Sequence, residues 1–253
     1  MPLPLPRPDR DVFANADESA NVGLLFDRAP DHWQTSFDGA SEKTPFLAKV
    51  RQQAAKRSAH GLLGDLLQRR GRMIRALAGR EVTVSTTWRL ASGLGMNHVL
   101  ENGFVWDRNL GVPYLPGSSV KGMMRAWAEQ WDTEHWGQYK ALFGDTDELG
   151  AGQIIVHDAF PIWDRAPLLD LDVMSIHART YYKDPSQAPV DNENPIVITF
   201  LAVSANTRFT FGLSPRLGVH PPPDLDAAES LLRTALQTLG IGSKTAVGYG
   251  HFI

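Results

Sequence analysis

The chain closes on GIGSKTAVGYGHFI, from Gly240 to Ile253, where four glycines surround Ser243, Lys244 and Thr245. These residue types suit a phosphate. Glycine permits positive φ and close backbone approach. Successive N–H groups form an anion-binding nest. Lys244 adds charge, and Ser243 and Thr245 add hydroxyl donors. The stretch is not a nucleotide P-loop, which needs G-x-x-x-x-G-K-[ST] between a strand and a helix. Here Ser243 separates Gly242 from Lys244, and a predicted helix precedes the stretch. VGYGHFI has the glycine–aromatic spacing of an RNA-recognition signature but lacks its basic first residue. The residues suit equally a helix C-cap at Gly240 followed by a tight turn into an edge strand.

A second candidate lies in PGSSVKGMMRAWAEQW, which predicts a helix opening at Ser118 or Ser119. Val120, Met123, Met124, Trp127, Ala128 and Trp131 form its apolar stripe. Lys121 and Arg125 lie one turn apart on another face. Lys121 falls in the first turn, where the helix dipole disfavours a cation. An anion on the free N–H groups would reverse that penalty. Arg125 has a second use, an i,i+4 pair with Glu129 worth about 0.3–0.5 kcal/mol.

Acid–base chemistry would draw on the eight histidines. His98 lies in a glycine-rich loop, where solvation is its ordinary fate. His177 neighbours Tyr181 and Tyr182, a grouping suited either to base stacking or to a small packed cluster. His251 sits on the predicted last strand. His157 and Asp158 are adjacent on a strand, so their side chains point to opposite faces and make no dyad. Asp170 and Asp172 share a face, but one such pair is weak as a metal site. No two histidines have metal-ligand spacing, and there is no cysteine, so no disulfide, thiolate site or metal is expected. No cofactor is expected either.

The frame that positions these residues is 253 residues long, 43% hydrophobic and 21% charged, enough for one large domain or two small ones. The net charge of −3 is uneven. Lys43 to Arg80 carries ten bases and one acid (+9), and the remainder 15 bases and 27 acids (−12). Such a stretch suits either a nucleic-acid contact or a solvated helical face, the latter favoured. The opening MPLPLPRPDR has no basic region followed by an apolar run, and no stretch approaches the ~20 apolar residues of a membrane helix. A cytoplasmic protein without a membrane partner is expected.

Periodicity predicts a Pro-rich arm at 1–16, a short helix at Asn21–Arg28 and helices from Lys43 to Arg80 broken near Gly61. Alternation in EVTVSTTWRL predicts a strand with Val82, Val84, Thr86, Trp88 and Leu90 on one face and Thr83, Ser85, Thr87 and Arg89 on the other. GQIIVHDA is a strand. Residues 164–194 read as an irregular inserted hairpin or flap. PIVITFLAV and RFTFGL read as paired strands. A helix follows at Asp224–Leu239, capped by Asp224 and ended by Gly240, and a last strand over about Val247–Ile253. Without the insertions this is strand, helix, strand, strand, helix, strand: an α+β, ferredoxin-like (RRM-like, split βαβ) domain. The division expected is 1–80 as arm and helical extension packed on the core and 81–253 as the main domain. In that arrangement the two glycine-rich cationic loops would line one groove.

GVPYLPGSSVKGMMRAWAE (Gly111–Glu129) and the closing GIGSKTAVGYGHF together resemble the RAMP proteins of CRISPR systems, and among them the sixth-subunit family of type III-B Cmr effector complexes. WRLASGLG, ENGF, LFGD, VHDAFP, DLDVMSIHARTYY and NVGLLFD support the resemblance. It implies a ferredoxin-like RAMP fold and a non-catalytic subunit holding guide RNA near its 3′ end, with target RNA a possible second strand. It implies as partners the backbone RAMP subunit, the small helical subunit and another terminal RAMP subunit. On that reading Lys121, Arg125 and Lys244 neutralise phosphates, and Ser118, Ser119, Gly242, Ser243 and Thr245 supply hydrogen bonds. Arg89 and His98 complete the expected RNA-binding set. Two alternatives stand beside it: a metal-independent RAMP endoribonuclease acting on CRISPR RNA, and a packing subunit with no RNA contact.

Overall fold

A computed structural model of the chain describes residues 16–28, 40–56, 61–144, 150–163, 167–190 and 194–253. The expected arm at 1–16 lies almost entirely outside them. In chain order the helices are α1 (Val22–Arg28), α2 (Ala40–Lys56), α3 (Leu62–Ala76), α4 (Gly117–Gln130), α5 (Trp136–Phe143), α6 (Arg179–Lys183) and α7 (Leu225–Thr238). The strands are β1 (Arg80–Ser85), β2 (Trp106–Asp107), β3 (Val112–Pro113), β4 (Ile154–Ile162), β5 (Leu169–Ile176), β6 (Ile196–Val203) and β7 (Arg208–Pro215).

The main sheet is antiparallel, in the order β1-β7-β4. Alternation decides its faces. Val82, Val84, Phe209, Phe211 and Leu213 enter one buried core with Val120, Met124 and Ala128 of α4 and Leu231, Leu232 and Leu236 of α7. Val22 and Phe26 of α1 and Phe46, Leu47 and Val50 of α2 join the same core. On the other face Glu81, Gly212 and His157 stand side by side across the three strands, and α3 covers them: a Cβ on Gly212 would meet Ile74 Cδ1 at 2.5 Å and Arg70 Nη2 at 2.8 Å. β7 is thus the interior strand, largely apolar and buried, flanked by the two strands it joins.

Four expectations change. PIVITFLAV pairs with 169–176 instead of with RFTFGL, so the expected flap contributes a strand of a second antiparallel sheet, β5-β6. The chain crosses between sheets at 204–207, where Asn206 takes φ +58° and Thr86 holds the turn. Asn206 N–H donates to the Thr86 carbonyl and Thr207 N–H to Thr86 Oγ1, both at 3.0 Å. The last strand is replaced by a 3₁₀ turn at Thr245–Val247 and a single bridge between Thr86 and Phe252. The main sheet therefore has three strands where four were expected. α4 starts at Gly117, ahead of the serines, and Ser118 and Ser119 are exposed. Finally, Trp88 and Trp131, both expected on apolar faces, are exposed; Trp131 stacks on Trp127.

α7 follows its sequence signals. Asp224 Oδ1 accepts from the N–H groups of Asp226 and Ala227, and Gly240 leaves the helix at φ +68°.

The closing glycines are tested by their surroundings. A Cβ on Gly250 would lie 2.0 Å from the Ile241 carbonyl oxygen, whereas one on Gly248 meets nothing within 4 Å, though both have positive φ. Gly248→Ala should cost about 1–2 kcal/mol, the price of the left-handed backbone alone. Gly250→Ala should cost clearly more, because backbone must move. Denaturant midpoints of the two variants measure the difference; equal midpoints would remove the close-packing account of Gly250.

Candidate nucleic-acid interface

The terminal loop is laid backbone to backbone on the segment that continues β1. Ser243 N–H donates to the Ala91 carbonyl at 2.6 Å, Gly250 N–H to Arg89 at 2.9 Å and Thr87 N–H to His251 at 2.9 Å. A Cβ on Gly242, where φ is +100°, would sit 2.4 Å from the Ala91 oxygen. Gly242 thus serves the approach to Ala91, while Gly240 and Gly250 let the two ends of the loop approach each other.

Ligand-binding capacity remains at the turn itself. Lys244 takes the left-handed conformation, φ +62°, and the 3₁₀ turn begins after it. Among the described residues, the N–H groups of Gly242, Lys244, Thr245 and Ala246 meet no acceptor. Lys244 Nζ lies 4.0 Å from Met174 Sδ and 5.8 Å from the centre of the Phe200 ring. No carboxylate pairs with it among the described residues. Ser243 and Thr245 are half-exposed at its sides.

Arg89 is not available in this way. Its guanidinium donates from Nε to Asp170 Oδ2 (3.0 Å) and from Nη1 to Asp172 Oδ2 (2.8 Å), and Nη2 lies 2.9 Å from Asp170 Oδ2. It also lies 4.9 Å over the Trp88 ring. Burial works against its charge, but the two carboxylates outweigh that and raise its pKa. The Tyr249 hydroxyl donates to Asp172 Oδ2 at 2.5 Å. Burial, then this bond and the carboxylate charge, push the phenol up to about 12. Asp172 is held below the ordinary carboxylate value: burial opposes, but Tyr249, the Val173 N–H and Arg89 prevail. The aspartate pair thus locks the second sheet to the β1 continuation.

His98 is neither solvated nor free for RNA. Its ring stacks on Phe26 at 4.2 Å, Nδ1 accepts from Leu100 N–H and Nε2 faces the Phe26 carbonyl at 3.2 Å. Both bonds suit the neutral Nε2–H tautomer. Burial lowers its pKa, against the pull of Asp27 and the Phe26 carbonyl.

The start of α4 is capped from within. Gly117 N–H donates to Asp158 Oδ1 at 2.7 Å, so a carboxylate stands where an anionic ligand was expected. Lys121 Nζ donates to the Ile154 carbonyl at 2.9 Å. Its pKa is lowered by burial and then by Arg125 and Arg216. Arg125 Nε donates to Glu129 Oε1 at 2.6 Å. The two cationic loops do not line one groove. α4 begins against β4, at one edge of the main sheet, whereas the terminal loop lies on Arg89–Ala91, beyond the end of β1 at the opposite edge.

Sequence reading missed Arg70. The signal was present: Arg70 is seven residues after Leu63 and four before Ile74, both buried, which places it on the inner stripe of α3. Asp158 and Arg216 were missed because only tertiary packing brings them to α4. Among the described residues, no group of three or more His, Asp and Glu side chains is placed to hold a metal, and no helix is long and apolar enough to cross a membrane.

These features define a mixed helix-and-sheet domain with antiparallel sheets, two of which meet where a cationic terminal loop is laid down. The RAMP superfamily model matches residues 78–253, and the chain belongs to that superfamily. It is similar to the CRISPR system Cmr subunit Cmr6 of Pyrococcus furiosus, at 27% identity over 239 aligned positions covering 71% of this chain and 68% of that protein. It is also similar to the CRISPR system CMR subunit Cmr6 of Saccharolobus solfataricus, at 27% identity over 154 positions covering 61% of this chain and 49% of that protein. The chain thus aligns with about half the length of the second relative. A chain in the cryo-EM structure of the Type III-B Cmr-beta bound to cognate target RNA superposes with a TM-score of 0.63, covering 96% of this chain and 92% of that one. Identity there is 16%, so the likeness is one of fold.

Replacing Asp172 by Asn should leave Arg89 and Tyr249 with one charged acceptor fewer and cost about 2 kcal/mol at pH 7. A carboxylate with a depressed folded pKa stabilises above its unfolded value, 3.8, and loses that contribution as pH falls through the folded value. Denaturation of wild type and Asp172→Asn should therefore converge below pH 3.8 and diverge above it.

Proposed function

We propose that this chain is the sixth-subunit counterpart of a type III-B CRISPR Cmr complex. In this role it is a non-catalytic RNA-binding protein that holds the guide-RNA backbone near its 3′ end and packs against neighbouring RAMP subunits and the small helical subunit. The observation that carries the reading is Lys244: a half-buried cation with no carboxylate partner among the described residues, beside three successive N–H groups without acceptors. Such a turn offers charge and directed hydrogen bonds to one backbone phosphate without reading a base. Its cytoplasmic location follows from the same reading.

The superfamily match, the two Cmr6 relatives and the fold of the Cmr-beta chain support the assignment. The topology supports a ferredoxin-like reading too. β1, α4, β4, β7 and α7 follow one another as in a split βαβ unit, with Phe252 bridging β1 at the position of the fourth strand. On this reading the β5–β6 hairpin with α6 is the inserted flap, and residues 1–80 are an extension packed on the domain.

For an endoribonuclease, a histidine must be free to take a proton at a 2′-hydroxyl. His98 is buried and stacked, His157 bonds Ser214 Oγ at 2.9 Å, and His251 lies 3.0 Å from the carbonyls of both Gln237 and Thr245. These commitments remove three histidines from that role, whereas His177 and His220 are exposed and leave cleavage as the alternative reading.

The geometry ranks the cations. Lys244 stands first. Lys121 retains donors beyond its bond to Ile154 but is partly desolvated, and Arg125 shares its charge with Glu129. Ser118 and Ser119 remain exposed donors. Lys244→Ala should reduce the log–log salt slope of single-stranded RNA binding by about 0.7, one phosphate contact. Lys121→Ala should change it less. Filter binding across salt concentrations measures both, with the assembled complex used if the free subunit binds weakly. An unchanged slope in Lys121→Ala/Lys244→Ala would sink the assignment. Pull-down of tagged protein with sequencing of small RNAs tests the complex: repeat-derived 5′ ends and other RAMP subunits should be recovered, and clean protein alone would count against it.

A further inference from the structure

Trp88 is 48% exposed, although it lies between Thr86 and Leu90, which are both buried. The chain bends at Thr87 and Trp88, which breaks the alternation of β1. The indole lies against Arg89, whose guanidinium carbon stands 4.9 Å over the ring. That guanidinium is fixed by Asp170 and Asp172, so the ring rests on a pinned cation. Trp88 belongs to neither buried apolar cluster and is not among the side chains packed against them. Its large apolar ring is therefore positioned without serving the core.

Trp88 and Lys244 stand over the same face of the second sheet. Asp170, Asp172 and Met174 alternate along β5 and share one face. Arg89, with Trp88 against it, covers the two aspartates, and Lys244 Nζ lies 4.0 Å from Met174 Sδ. Two to four residues of β5 span about 7–14 Å, a distance that an RNA strand crosses in about one or two nucleotides. The charge changes along this row. At the Trp88 end two carboxylates meet one guanidinium, so a phosphate is repelled there and a neutral base is not. At the other end Lys244 has no carboxylate among the described residues, and the N–H groups of Lys244, Thr245 and Ala246 meet no acceptor.

We propose that Trp88 is a base-stacking residue: one unpaired base of the strand whose phosphate Lys244 holds lies on the open surface of the indole. The inference rests on the RNA-binding reading and adds a base contact to a site that otherwise meets only backbone. Every base has a π face, so the stack tolerates any sequence. Arg89, Asp170 and Asp172 are positioning residues, which hold the ring at a set distance from the terminal turn. The aspartates also direct the phosphate to the Lys244 end of the row.

The test is fluorescence anisotropy with a labelled single-stranded RNA and with a strand of the same length that lacks its bases. Wild type, Trp88→Leu, Trp88→Phe and Lys244→Ala are compared as full chains, or in the assembled complex if the free chain binds weakly. Wild type should prefer the RNA to the abasic strand. Trp88→Leu should lose about fivefold or more in RNA affinity, the lower end of what one base–aromatic stack contributes. It should keep the wild-type salt slope and the wild-type affinity for the abasic strand, and Trp88→Phe should recover most of the loss. Lys244→Ala should lower the slope instead. If Trp88→Leu does not fold, tryptophan emission decides: RNA should quench wild type more than it quenches Trp88→Phe, and equal quenching overturns the stack. RNA affinity unchanged in Trp88→Leu while Lys244→Ala lowers the slope overturns the stack and leaves the RNA-binding reading standing. The stack also fails if Trp88→Leu weakens both strands equally, or if it loses a neighbouring subunit in a pull-down while RNA affinity holds. A wild type that binds no RNA, free or in the complex, overturns both.

Discussion

The structure turns on the short segment Thr86–Ala91, which leaves β1 and is shared by three other parts of the chain. Thr86 is fully buried and carries the turn at 204–207 on its carbonyl and hydroxyl while bridging Phe252. Leu90 exchanges two backbone hydrogen bonds with Val203, which ties the β5–β6 sheet to the same segment. Ala91 and Arg89 receive the terminal loop. Buried backbone groups must be paired, and here one six-residue segment pairs groups from both sheets and the C-terminus. The terminal glycines follow from this constraint: three backbones converge, and a Cβ at Gly242 or Gly250 would strike a carbonyl.

Side-chain charge follows a similar division between internal and available groups. Most cations on the sheet junction and on α4 already have an oxygen partner. Arg89 has two carboxylates, Arg125 has Glu129 and Lys121 has a carbonyl. The dipole of α4 is met by Asp158. Lys244 and Arg70 are the departures, in opposite settings. Lys244 lies at a half-exposed turn over a thioether and an aromatic ring. Arg70 is buried, with Glu81 3.7 Å away as its ion partner and no hydrogen-bond acceptor among the described residues. A half-exposed cation without a partner costs little; a buried one depends on the carboxylate beside it.

Much of this was legible in order but not in pairing. Periodicity located α3, β1, α4, β4, β7 and α7, and Asp224 and Gly240 marked the ends of α7. Those signals are local: an amphipathic period, a cap, a left-handed exit. The glycine-rich terminus was legible as a special backbone, and the resemblance carried by it and by the stretch around α4 pointed to the superfamily. Which of its glycines serve packing was not legible, because that depends on the segment 150 residues earlier that it meets.

By itself the sequence determined the α+β class, the sites of most elements and the candidate cations, because propensity, capping and alternation act within a few residues. Tertiary structure alone decided how the cations are used. It paired β6 with β5 through the turn held by Thr86, sent Arg89 to Asp170 and Asp172, buried His98 against Phe26 and set Arg70 beside Glu81. The physical reason is that a charge takes its role from the oxygen nearest in space, and these partners lie tens of residues away along the chain.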